Sequence, residues 1–217
     1  MSYKSIAIDG PAGAGKSTIS KLLAKKIGFD YLDTGAMYRV YTYYFISNNI
    51  DVKDEALINS HIDDIDLEIK DGQFYLNGVN VDKEIRSDEV TKNVSLISSY
   101  KEIRENLVEK QREISMKNNI ILDGRDIGSH VLKNADIKFF LTASAEIRAK
   151  RRFDELTSDM SFEDVLKDII RRDEFDSSRK ISPLVMAKDA ILIDSSNMKI
   201  DEVVNKMYKL AEERNVV

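Results

Sequence analysis

Apolar and polar positions fall into short blocks along the chain. Five apolar runs bounded by turn-forming residues predict core strands at 5–9, 29–33, 119–123, 137–141 and 190–194. Between them, apolar residues recur at helical spacing over 16–27, 36–48, 99–117, 144–156, 161–175 and 200–214. Strands that are apolar throughout are buried on both faces, and alternation with helices places them in a parallel sheet covered on either side. One stretch breaks the scheme. DLEIKDGQFYLNGVNVDKEI carries Asp-Gly at 71–72 and Asn-Gly at 77–78, each between alternating apolar residues, which predicts two tight hairpins over about 66–83. The predicted fold class is therefore α/β: a five-stranded parallel sheet flanked by helices, with a small antiparallel β-meander inserted.

The glycines sharpen this picture. The chain has 9 glycines and 2 prolines in 217 residues, yet Gly10, Pro11, Gly13 and Gly15 crowd into one turn after the first strand. Gly10, Gly15, Lys16 and Ser17 fit G-x-x-x-x-G-K-[ST], a phosphate-binding loop. Glycine lets successive N–H groups point into one concavity, and the following helix adds the positive end of its dipole. Residues Gly10, Pro11, Ala12, Gly13, Ala14, Gly15, Lys16, Ser17 and Thr18 are thus the candidate cradle for a nucleoside triphosphate. Lys16 would reach the β- and γ-phosphates and the Ser17 hydroxyl would ligate Mg²⁺. The bland alternative, an ordinary glycine-rich turn, sits poorly with a strand just before and a helix just after. Ligands in open α/β sheets lie beyond the carboxyl ends of the strands. DGPAGAGKST, DTGAMYR, DGRDIGS and TASAEIRAKRR all follow predicted strands and should share one edge. Asp9, Asp33 and Asp123 each end a strand. Asp123 is a candidate for holding Mg²⁺ or its water shell; capping the next turn is the competing role.

Composition narrows the classes further. With 42% hydrophobic and 33% charged residues the chain reads as globular. It has no apolar run of about eighteen residues and no leader pattern, so a cytoplasmic protein without a membrane partner is expected. The absence of cysteine excludes disulfides and thiolate metal sites. A net charge of −5 argues against broad nucleic-acid binding. Arginines nevertheless cluster in RAKRR (148–152) and RRDEFDSSR (171–179), and bidentate phosphate recognition favours arginine.

GPAGAGKST, YLDTGAMYR, DGRDIGS and RRDEFDSSRKISPL, in this order and spacing, resemble the bacterial-type cytidylate kinases, within the nucleoside monophosphate kinase class of P-loop proteins. The likeness covers essentially the whole chain, meander included. It implies Mg²⁺-assisted transfer of the ATP γ-phosphoryl group to CMP or dCMP by a monomer. It also implies one domain over 1–217, with core segments (about 1–60, 100–147 and 180–217) and a monophosphate-binding insert (about 61–99), and the need to keep water from ATP predicts a lid (about 148–160). Carried over by motif, Lys16, Arg125 and Arg172 are catalytic; the lid predicts that Arg148, Arg151 or Arg152 joins the loop in binding ATP, against a solvated helix face as the competing role of RAKRR. Thr34, Tyr38, Arg39, Ser95, Arg104, Arg125, Asp126, Arg172, Asp176 and Arg179 bind CMP. Of these, Ser95, Arg104 and Asp126 meet the base, Arg39 and Arg125 the phosphate, and Arg172, Asp176 and Arg179 the ribose and phosphates. Phe175, Ser177 and Ser178 stand where the family often carries charge.

These residue types make chemical sense on their own. Cytosine presents an N4 amino donor beside the N3 and O2 acceptors, so a carboxylate and a guanidinium form a discriminating pair; uracil would turn an acceptor toward the carboxylate. Without the resemblance, Arg104 reads as an exposed charge on helix 99–117. Likewise Arg172, Asp176 and Arg179, spaced by four and three, share one face of a helix that is either a site or a salt-bridged surface. Transfer to an ionised phosphate needs no general base, so His61 and His130 are not expected to be catalytic. Another small-molecule kinase remains the nearest alternative. A guanine-nucleotide switch would need N-K-x-D, which the chain lacks.

Overall fold

A computed structural model describes residues 3–155 and 160–217. The backbone clusters into two compact units, 1–32 with 114–217, and 33–113.

The first unit carries the parallel sheet. Its strands are β1 (Ser5–Asp9), β2 (Asp30–Asp33), β6 (Ile120–Gly124), β7 (Ile137–Thr142) and β8 (Ile191–Asp194), in the order β2-β6-β1-β7-β8. β1 is central, aligned in parallel with β6 (Asp9 beside Gly124) and β7 (Asp9 beside Phe140). Every residue of β6 is buried, the signature of a strand covered on both faces. Ile6, Ile8, Ile121, Phe139, Leu141 and Ile193 from the sheet pack with Leu23 of α1 (Lys16–Ile27) and with Val203 and Met207 of α8 (Ile200–Glu213). A smaller cluster of Ala149, Val165 and Ile169 joins α6 (Ala145–Glu155) to α7 (Phe162–Ser178).

The second unit holds α2 (Thr34–Ser47), α3 (Glu55–Ser60), the antiparallel strands β3 (Leu67–Lys70), β4 (Gln73–Leu76) and β5 (Val79–Asn80), then α4 (Asp88–Ile97) and α5 (Lys101–Ser115). α2 packs against α4 and β4, and Met37, Tyr41 and Phe45 are fully buried. The two hairpin turns place Asp71–Gly72 and Asn77–Gly78 at positive φ, as tight two-residue connections require.

Several elements depart from the sequence pattern. α2 begins at Thr34 rather than 36, because the Asp33 side chain accepts the Ala36 N–H at 2.9 Å. α4 was not evident in the pattern; Ser87 caps it by accepting from the Val90 N–H. The Asp-Gly-Arg-Asp segment opens into a π-helical turn, Ile127–Val131. α7 runs on to Ser178, leaving Arg179 as its non-helical C-cap. Residues 156–159 of the expected lid lie outside the described residues.

Candidate active site

The loop after β1 is built around close approach. A Cβ on Gly10 would stand 1.9 Å from the Leu141 carbonyl oxygen of β7, and Gly10 has φ 154°, so no other residue fits. Gly15, in the left-handed region, caps α1 and turns the chain into the helix. Lys16 is 7% exposed, and its Nζ donates to the Pro11 carbonyl at 2.8 Å, folding the side chain across the loop. Burial, and next the Arg125 charge, lower its ammonium to about 7, opposed by Asp123, Asp9 and Asp176. A cation kept short of solvent and of full compensation is prepared for a polyanion.

The three strand-end aspartates take different work. Asp33 caps α2. Asp123, 2% exposed, accepts from the Ser17 hydroxyl at 2.9 Å through Oδ2 and from the Tyr31 hydroxyl at 3.0 Å through Oδ1. Hydroxyl and carboxylate oxygens side by side at the start of α1 are a donor set suited to a hard divalent cation. Asp9 faces the other way: Oδ1 accepts the Ile127 N–H and Oδ2 the Gly128 N–H, both at 2.7 Å. Burial outweighs these bonds and pushes its carboxyl up to about 6.

Arginines brace the loop from α6. Arg148, 6% exposed, donates through NH1 to the Ala12 carbonyl (2.9 Å) and through Nε to the Ala143 carbonyl (2.8 Å), and pairs with Asp173 at 2.7 Å. It therefore supports the loop from behind, a role the RAKRR pattern did not disclose. Its position three residues before Arg151, on one helix face, was the available signal. Arg151 donates to the Ala14 carbonyl (3.4 Å) and, through NH2, to the Ser195 carbonyl (2.8 Å). Arg152 is half-buried on the same helix.

On the same unit, Arg125 follows β6 and donates through Nε to Asp176 Oδ2 at 2.9 Å. Asp176 is buried, and Arg179 donates to its carbonyl at 3.3 Å. One turn earlier Arg172 pairs with Asp168 at 2.9 Å, and burial lowers its pKa against that partner. Asp126, 4% exposed, precedes the π-helical turn. Ser177 and Ser178 face outward.

The second unit presents the remaining candidates. Thr34 is buried at the start of α2. Arg104 is 2% exposed, so it is not a surface charge; its guanidinium lies 5.5 Å from the Tyr38 ring centroid and donates to the Ser98 carbonyl at 3.0 Å. Arg39 donates to the Thr91 hydroxyl (2.8 Å) and the Ile85 carbonyl (3.2 Å). Ser95 is partly exposed on α4. Thr34, Tyr38, Arg39, Ser95 and Arg104 thus belong to this unit, and Arg125, Asp126, Arg172, Asp176 and Arg179 to the other.

Comparison with known proteins identifies the family. The family model described as cytidylate kinase matches residues 6–213. The chain belongs to the cytidylate kinase family. It is 50% identical over 205 residues to the cytidylate kinase of Clostridioides difficile strain 630, covering 93% of this chain and 95% of that one. The cytidylate kinase of Fusobacterium nucleatum is 48% identical over 210 residues, 95% of this chain and 96% of the other. Among solved structures, the shikimate kinase of Bacteroides thetaiotaomicron superposes with a TM-score of 0.50 at 12% identity, covering 96% of this chain and 98% of that one. That likeness speaks to the fold alone. As a cytidylate kinase family member the protein is a phosphotransferase with a nucleotide-binding P-loop. No helix among the described residues is long and apolar enough to cross a membrane.

Proposed function

We propose that the protein transfers the γ-phosphoryl group of ATP, with Mg²⁺, to the 5′-phosphate of CMP or dCMP. The observation that carries this reading is the buried, charge-depressed Lys16 beside the Ser17–Asp123 pair, at the same sheet edge as the Arg125–Asp176 pair. Loop amides and Lys16 hold the donor phosphates. Ser17 would ligate the ion and Asp123 hold it directly or through its water; bound there, Mg²⁺ neutralises charge on the transferring group. Arg39 and Arg125 orient the acceptor phosphate, Arg172 steadies the charge that develops between the reactants, and Asp176 with Arg179 takes the ribose side. Residues 61–99 serve as the monophosphate-binding insert and 148–160 as the lid, with Arg151 and Arg152 its donor-facing arginines.

Base choice rests on Asp126 accepting from N4 and on Arg104, stacked on Tyr38, donating to N3 and O2, and Ser95 is assigned to the base as well. Asp126→Asn can turn an NH₂ toward the uracil O4, so the variant should lose CMP turnover and narrow its preference over UMP by about 10²-fold or more. Arg104→Met should raise the KM for CMP while leaving ATP binding, followed by calorimetry, within about twofold. Both variants using CMP normally would defeat the base-recognition reading.

A further inference from the structure

Asp9 is a strand-end carboxylate that the phosphoryl-transfer scheme does not use, yet it is among the most constrained groups in the first unit. It is 3% exposed, it immediately precedes Gly10, and both of its oxygens are engaged by main-chain amides of a different segment, Ile127 and Gly128, at 2.7 Å each. Those amides open the π-helical turn whose N-cap, Asp126, directly follows Arg125. The rest of the turn closes on itself, with the His130 and Val131 N–H groups donating to the Asp126 carbonyl at 2.9 and 3.1 Å. The first amides of a helical turn have no partner within it and must be satisfied from outside. Here the outside partner is Asp9, the last residue of β1, immediately before the phosphate-binding loop. Space enforces the contact as well: a Cβ on Gly128 would fall 3.4 Å from Asp9 Oδ2 and 3.0 Å from the Lys138 side chain, so the turn sits close against β1 and β7.

We propose that Asp9 is a positioning residue for the acceptor side of the reaction: by clamping the Ile127 and Gly128 amides it fixes the turn that aims Arg125 and Asp126, and so ties the acceptor groups to the strand end from which the donor loop springs. This rests on the assignment of Arg125 and Asp126 to the acceptor nucleotide. The clamp needs two acceptor oxygens. Asp9→Asn keeps the shape but supplies one acceptor and one donor, which leaves an amide N–H facing an NH₂ and forces the turn to shift. A 1 Å shift of a positioned group costs about 10²-fold in reactive geometry. A second route is also open to the mutation, since Asp9 lies within electrostatic range of Lys16; that route acts on ATP. The two routes therefore separate in kinetics.

The experiment is steady-state kinetics of wild type and Asp9→Asn with CMP and ATP varied in turn, alongside amide exchange by NMR in the wild type. The clamp predicts that the KM for CMP rises about tenfold or more while the KM for ATP changes by less than about threefold. It also predicts that the Ile127 and Gly128 amides exchange as slowly as those of β6. Equal loss on both substrates, loss on ATP alone, or no loss would overturn the proposal, as would fast exchange of the two amides. The exchange measurement keeps the test decisive even if Asp9→Asn folds poorly. Should the wild type prefer another acceptor, the substrate assignment fails on the wild-type data, and the same selectivity is then read on that acceptor.

Discussion

Gly10→Ala probes whether the loop's path between β1 and β7 is what makes it a phosphate cradle. The added carbon would lie 1.9 Å from the Leu141 carbonyl oxygen and 3.0 Å from its carbonyl carbon. Carbon–oxygen contacts settle near ~3.3 Å, so loop and strand must part by about 1.4 Å. β7 yields poorly, because Leu141 is laddered to Ile193 of β8 and the preceding residues to β1. The loop therefore moves. Overpacking of this kind costs about 1–3 kcal/mol, and alanine held at this φ adds about 1–3 kcal/mol of strain, together about 2–6 kcal/mol. The displaced amides should lower kcat/KM for ATP by about 10²-fold or more. Gly28→Ala is the control. Gly28 has φ 73° at the end of α1, and a Cβ there would meet nothing within 4 Å, so the variant carries only left-handed strain of about 1–2 kcal/mol. Thermal unfolding and a coupled assay on both variants read the difference. If Gly10→Ala matches Gly28→Ala in unfolding midpoint and ATP use, the close-approach reasoning is wrong.

Lys16 should take up a proton when ATP binds. Its ammonium is lowered to about 7 by burial and by Arg125, so a fully ionised triphosphate arriving beside it raises the pKa and draws a proton from solvent at pH 8. Because the bound state holds more protons, affinity should weaken as pH climbs above 7. Calorimetry in buffers of different ionisation enthalpy checks the sign, which Lys16→Met should abolish; release of protons at pH 8 would contradict it. Arg148→Met removes the support under Ala12 and should raise the KM for ATP about tenfold while sparing the KM for CMP, with equal effects on both counting against a loop-specific role. Arg151→Ala should slow turnover at low ATP, and unchanged kinetics would remove that residue from the donor site.

The sheet and the loop were legible because their signals are local. Apolar runs such as NNIILD mark strands buried on both faces, and GPAGAGKST states its backbone requirements in its own composition. The meander was legible for the same reason, since its two turns are spelled by Asp-Gly and Asn-Gly. α4 was overlooked although Val90, Val94 and Ile97 recur at helical spacing, because its ten-residue span is short and rich in β-branched residues and its start is fixed by the Ser87 cap. The division of labour among Asp9, Asp33 and Asp123 could not be read along the chain. Their partners, Ile127 and Gly128 for the first and Ser17 and Tyr31 for the last, are set by which strands become neighbours. Arg104 read as a surface charge and Arg148 as a donor-phosphate arginine for a related reason: burial of an arginine is decided by the tertiary partners that satisfy it, here Ser98 and Tyr38 for one and Ala12, Ala143 and Asp173 for the other.

The most direct measurement is the product formed when purified protein meets Mg²⁺, ATP and, in separate reactions, CMP, dCMP, UMP and AMP, resolved by anion-exchange chromatography. The proposed transfer to a cytidine monophosphate, with base choice assigned to Asp126 and Arg104, predicts CDP and dCDP with equimolar ADP, and UMP turnover lower by about 10²-fold or more. No diphosphate from CMP, or a preference for AMP, would contradict it.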